Sequence, residues 1–157
     1  MHFVRFLWYN TNMQIRQISI FMPNRPGQLS QICRALSESD INIATLSLAD
    51  TSDFGIVRLI VDDHEKAKEV LSRSGHAVTV SEVVAVCVPD RPGGMAGVLQ
   101  CLDKAGVDIK YSYAFAFHKG EKAVLVFKFG DNAAAERALA KDGYVTLDED
   151  QIGENAR

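Results

Sequence analysis

The sequence predicts an α+β chain made of two tandem ferredoxin-like βαββαβ repeats, each an antiparallel sheet with its helices on one face. Three observations predict it. The segment Asn24-Arg25-Pro26-Gly27 returns 66 positions later (24 to 90) as Asp90-Arg91-Pro92-Gly93. The apolar residues around it return in the same register. Their spacing also switches between strand and helix periods in the same order in both copies.

The elements follow in that order. Ile18, Ile20 and Met22 alternate as a first strand, and Val84, Val86 and Val88 match them. After the repeated turn, Leu29, Ile32, Cys33 and Leu36 form one helical stripe, matched by Met95, Val98, Leu99 and Leu102. Two strands come next, over residues 41–49 and 54–61 in the first copy and 107–117 and 123–129 in the second. At their start Ile41-Asn42-Ile43 returns as Val107-Asp108-Ile109. A second helix carries Ala67, Val70, Leu71 and Gly75, matched by Ala135, Ala138, Leu139 and Gly143 at an offset of 68 (67 to 135), as a change of loop length produces. The glycines mark the helix ends. A last strand lies near residues 77–80 and 144–147.

This strand order is the split βαβ unit. Its helix-free face stays open and needs a cover. No Gly, Ser or Pro linker separates the copies, and the chain passes through Ser81-Glu82 into the next strand. The expected organisation is an N-terminal extension (1–13), repeat 1 (14–81), repeat 2 (82–148) and a polar, frayed C-terminal tail (149–157). Two such small units need to pack on each other or on a second chain, and the open edges predict a homodimer.

Composition narrows the function classes. Hydrophobic residues make up 47% of the 157 and the net charge is −3, which predicts neither disorder nor a nucleic-acid footprint. No stretch is long enough to span a bilayer. Residues 1–12, MHFVRFLWYNTN, are apolar, but Arg5 interrupts them and no small-residue cleavage site follows, so they make a poor signal peptide. A clean strand pattern opens at Met13, which makes residues 1–12 an upstream extension or a misassigned start. Cys33, Cys87 and Cys101 are odd in number and contain no CxxC pair, which predicts reduced thiols in a cytoplasmic protein, with no structural zinc. His2, His64, His76 and His118 show no metal-ligand spacing. No nucleophile elbow, Walker or dinucleotide motif is present, so no catalytic residue, cofactor or metal site is expected.

The repeated turn carries the chemistry. Pro26 and Pro92 suit a first helical position. Gly27 and Gly93 leave backbone N–H groups unshielded, and a helix N-terminus with free donors favours a carboxylate or phosphate. Asp90 or Asp108 is able to receive an ammonium group. In the second copy Gly94 replaces Gln28, which allows closer approach of a ligand. The plainer reading is that Asn24 and Asp90 cap helices and the glycines permit the turn. The recurrence of Arg, Pro and Gly together in both halves favours function.

The pattern of NRPGQL with INI, and of DRPGGM with VDI, resembles the ACT domain family over residues 14–147. The resemblance implies amino-acid sensing, with ligand at the interface between paired ACT units. It implies ligand contacts from Asn24, Gly27, Gln28, Leu29, Asn42 and Ile43 in the first copy. In the second it implies Asp90, Gly93, Gly94, Met95, Asp108 and Ile109. No enzyme or DNA-binding domain accompanies the repeats here, so the regulated partner is open.

Tyr111, Tyr113, Phe115 and Phe117 alternate on one strand, where the first copy has Thr45, Ser47, Ala49 and Thr51. A base-stacking platform is the sharper reading. A sheet core or a dimer contact is favoured in an acidic chain that has no RNP-type Gly-aromatic motif, and the difference between the halves suits an asymmetric interface. The leading function is a non-catalytic sensor. The alternatives are a small ferredoxin-like enzyme, acylphosphatase-like in type, and a purely structural interaction module.

Overall fold

The computed structural model describes residues 14–50, 53–116 and 122–155. The elements are β1 (Ile15–Pro23), α1 (Gln28–Glu38), β2 (Ile43–Asp50), β3 (Phe54–Val61), α2 (His64–Arg73) and β4 (Ala77–Pro89). There follow α3 (Gly94–Lys104), β5 (Ile109–Ala116), β6 (Lys122–Phe129), α4 (Asn132–Lys141), β7 (Val145–Leu147) and α5 (Glu149–Asn155). The βαββαβ order appears twice, as the repeat predicts.

The copies share more than a border. β4 is one 13-residue strand. Its first half, Ala77 to Val83, pairs antiparallel with β1 as the last strand of repeat 1. Its second half, Val84 to Pro89, pairs with β6, and Ala85 to Cys87 also pair with β7. The strands thus form one seven-stranded antiparallel sheet, β2-β3-β1-β4-β6-β5, with β7 on β4. The expected division at residues 81 and 82 falls inside a strand.

Alternation along the strands builds three cores. Ile18, Ile20, Met22, Val57 and Leu59 pack beneath α1 and α2 with Ile32, Leu36, Ala67 and Leu71. Val84, Val86, Val88, Leu125, Phe127 and Phe129 pack beneath α3 and α4 with Val98, Leu102, Ala135 and Leu139. The third core joins the helix-free faces. Ile15 and Ile60 from repeat 1 meet Val83, Ala85, Val124, Val126 and Leu147 there. The sheet curls so that each open face covers the other, which answers the need for a cover.

Helix ends follow local chemistry. Asp63 and Asp131 cap α2 and α4 by accepting from the N–H groups of Lys66 and Ala134, both at 3.0 Å. Gly75 (φ 85°) and Gly143 (φ 80°) close them, with His76 N–H bonded to Leu71 O (3.1 Å) and Tyr144 N–H to Leu139 O (2.9 Å).

Three expectations need correction. The C-terminal tail is helical over Glu149–Asn155, not frayed. Asp148 and Gln151 cap each other reciprocally (2.8 and 3.0 Å), α5 follows, and Ile152 is fully buried in the third core. The Arg16 backbone N–H donates to Glu149 Oε1 at 2.8 Å and ties the helix to β1. Pro26 and Pro92 precede the helices, which begin at Gln28 and Gly94, because glycines occupy the cap position. Cys33, whose place on the helical stripe predicts a buried hydrophobe, is only half-covered, whereas Cys101 is buried and donates its thiol to Ala138 O.

Candidate functional site

Both repeated turns have the same form. Gly27 and Gly93 are the N-caps of α1 and α3, at φ 87° and 91°, and neither helix receives a side-chain cap. Asn24 and Asp90 are therefore not the cap residues. Positive φ is what demands glycine here: an added Cβ would meet nothing within 4 Å at either position. Gln28 N–H folds back to Arg25 O (3.3 Å), and Gly94 N–H to Arg91 O (3.0 Å). Asn24 N–H holds the first turn against Asp53 O at 3.0 Å. Leu29 is half-buried and Met95 is exposed.

Gly94 has a different reason to be glycine. A Cβ there would lie 2.4 Å from the Pro89 carbonyl oxygen. The group that closely approaches this glycine is the chain's own backbone.

The strand-two starts are also equivalent. Asn42 N–H donates to Asp62 Oδ1 (3.0 Å), and Asp62 N–H returns to Asn42 O (3.2 Å). In repeat 2, Gly130 N–H donates to Asp108 O at 2.9 Å, and the Asp108 carboxylate pairs with Lys110. Next to each lies a register shift, between Ile43 and Thr45 and between Ile109 and Tyr111. Such bulges re-aim side chains at a strand's edge.

Register fixes how these groups stand to one another. β1 and β2 are both antiparallel to β3. Pro23 pairs with Phe54 and Asp50 with Gly55, so β2 ends beside the first turn. Ile43 pairs with Val61, so β2 starts at the other end of the sheet. Asn42 and Ile43 therefore stand a strand's length from Asn24, Gly27, Gln28 and Leu29. Asp108 and Ile109 stand in the same relation to Asp90, Gly93, Gly94 and Met95. The two turns also lie apart, since Ala77 pairs with Phe21 near the first and Pro89 leads into the second. Within one chain the candidates form separate groups.

A cavity of about 340 Å³ adjoins one group. It lies between Asn42 and Asp62 on one side and Glu149, Asp150 and Glu154 of α5 on the other. Its carboxylate-rich wall suits a cationic group. A shallow depression of about 520 Å³ along α2 includes none of the candidate residues. Among the described residues no group of three or more His, Cys, Asp or Glu is placed to hold a metal ion. Nor is any helix there long and apolar enough to cross a membrane.

The aromatic strand faces the other repeat. Tyr111, Tyr113 and Phe115 pack on the third core, as the asymmetric-interface reading expects. Phe117 and His118 lie outside the described residues, as do residues 1–13. Sequence reasoning missed α5, although Asp148-Glu149-Asp150-Gln151 before Ile152 has capping-box spacing.

The chain resembles known proteins along most of its length. Protein BT0572 from Bacteroides thetaiotaomicron is 32% identical, with a TM-score of 0.85 over 90% of this chain and 97% of that one. The regulatory subunit of aspartate kinase from Thermus thermophilus, in its ligand-free form, superposes with a TM-score of 0.61 at 18% identity, over 82% of this chain and 92% of that one. The corresponding subunit from Thermus flavus gives the same TM-score over 83% and 93%. No curated protein matches. The family model described as an ACT domain pair matches residues 13–153. By that match, and by the doubled βαββαβ order, the chain belongs to the family of ACT domain pairs.

Proposed function

We propose that this chain is a non-catalytic regulatory sensor that binds an amino acid between ACT units of two copies in a cytoplasmic homodimer. The observation that carries the reading is the pair of glycine-capped helix starts. Both helices end in backbone donors with no side-chain cap, and such a terminus favours a carboxylate. Membership of the ACT domain pair family and the likeness to regulatory subunits of aspartate kinase support it.

A second copy explains the separated groups. β2 and β5 are the two ends of the sheet. When two edge strands pair antiparallel, the start of one lies beside the end of the other. Asn42 and Ile43 of one copy would then meet the Gln28–Leu29 turn of its partner. The turn would take the ligand's carboxylate, and the strand start, with nearby carboxylates, its ammonium. The edge of repeat 1 suits such a contact. Leu46 and Leu48 on β2 are 43% and 46% exposed, where β5 carries Ser112 and Ala114. Exposed apolar side chains on a sheet edge invite pairing. The output would pass to a regulated enzyme or other partner through the dimer's affinity or arrangement.

Calorimetry of the full chain against the twenty amino acids tests this. The sensor reading expects one or a few to bind below millimolar. Binding of none contradicts it and favours a purely structural module. Turnover of an acyl phosphate would favour an enzyme.

A further inference from the structure

The helix-free faces of the two repeats differ in a way that duplication alone does not produce. In repeat 1 the inner strands present Gln17, Ser19 and Arg58, and in repeat 2 the equivalent positions hold Val83, Ala85 and Val126. The edge strands differ in another way, with the small hydroxyls Thr45 and Ser47 in repeat 1 against the aromatic hydroxyls Tyr111 and Tyr113 in repeat 2. The repeat 1 face is thus polar through its middle, and the repeat 2 face is apolar in its middle with tyrosine hydroxyls at its margin.

These groups meet across the third core. Gln17 is fully buried. Its Nε2 donates to the Tyr111 hydroxyl at 2.7 Å and to Ser19 Oγ at 3.1 Å. Its Oε1 accepts from the Tyr113 hydroxyl at 2.8 Å. The Arg58 guanidinium lies 3.9 Å from the centroid of the Tyr111 ring. One amide therefore serves both tyrosines, and one ring receives the cation.

We propose that this contact is a recognition surface that makes repeat 1 select repeat 2 and reject its own kind. Two repeat 1 faces would bring two Arg58 side chains together and leave each Gln17 without its tyrosines. Two repeat 2 faces would press four tyrosine hydroxyls toward Val83, Ala85, Val124 and Val126, which offer no acceptor. A buried polar group left unpaired is disfavoured, so each like pairing is penalised while the unlike pairing gives the Gln17 amide and both tyrosine hydroxyls a partner. The partner that fits repeat 1 is the aromatic strand of repeat 2 in the same chain.

Two measurements on the full chain test this. The first is a cycle of thermal melts. Tyr111→Phe, an isosteric change, lowers Tm by about 2 to 4 °C in the wild type. In a Gln17→Leu background, or Gln17→Met should Leu not fold, the same change has no effect, because the amide is already gone. Equal effects in both backgrounds overturn the proposal. The second is the mass distribution of the variant carrying Gln17→Val and Arg58→Val, which removes from repeat 1 the two groups that penalise its self-pairing. A chain holds one repeat 1 face, so pairing of two such faces has to join chains. The variant should shift to larger, concentration-dependent assemblies in native mass spectrometry. A distribution identical to wild type over the same concentrations overturns the proposal.

Discussion

Single residues show where the duplicated halves were finished differently. The chain turns out of α1 at Asp40, which holds φ 55°, and its counterpart after α3 is Gly106, at φ 67°. Aspartate tolerates the left-handed region better than most residues but does not escape its cost. Asp40→Gly should stabilise the fold by about 0.5 to 1 kcal/mol, seen as a Tm rise of about 1 to 4 °C. Glycine 94 predicts the opposite. A methyl group there meets Pro89 O, so Gly94→Ala should cost about 1 to 3 kcal/mol in a denaturant melt. Gly27→Ala, in open space but at positive φ, should cost less, about 1 kcal/mol.

Glu136 adds a pH dependence. Burial raises its carboxyl pKa above the ordinary 4.5, and the charge of Glu82 raises it further. One carboxylate oxygen is buried without a hydrogen-bond partner. A raised folded pKa means the folded chain holds this proton more tightly than the unfolded one. Its contribution is fully present below the ordinary value and is lost as pH rises through the folded value. Glu136→Gln should therefore raise Tm near neutral pH and reduce its fall between acid and neutral pH. Burial also pushes the Tyr113 hydroxyl well above the usual phenol range, in keeping with a group that stays a neutral donor to Gln17.

At the scale of elements, the period of the apolar residues carried most of the information. Ile32 with Leu36 and Val98 with Leu102 are buried as the helical stripe predicts. The Schellman ends at Gly75 and Gly143 were legible because a left-handed residue there is nearly always glycine. Two features resisted. The start of α1 looks like a proline-led helix, yet the left-handed Gly27 takes the cap and displaces Pro26 into the turn. α5 offers a single apolar residue, Ile152, too little for any periodicity. Tertiary burial decides that helix, so Ile152→Ala should cost about 2 to 4 kcal/mol. It should also release Arg16 from Glu149, read as faster amide exchange at Arg16.

For the whole molecule, the repeat announced the architecture but not how the copies join. Continuity of β4 was visible only as the lack of a linker. The curl that brings Ile15 and Ile60 against Val124 and Val126 depends on sheet geometry that one-dimensional pattern does not encode. The site is legible to the same degree. The residue types were readable from the twin turns, but their separation along the sheet follows from strand register. On the dimer reading the ligand site is completed by a partner's edge, so Leu48→Lys should yield monomer in analytical ultracentrifugation. It should also weaken amino-acid binding by about tenfold or more, since a buried charge at an edge contact disfavours pairing.

The most direct measurement is a backbone amide NMR titration of the full chain with each of the twenty amino acids. A binding amino acid should shift the amides of Gln28 and Leu29 or of Gly94 and Met95. It should shift those of Asn42 and Ile43 or of Asp108 and Ile109 at the same concentration. Saturable shifts confined to other surfaces, or none with any amino acid at millimolar concentration, would contradict a ligand site shared between ACT units.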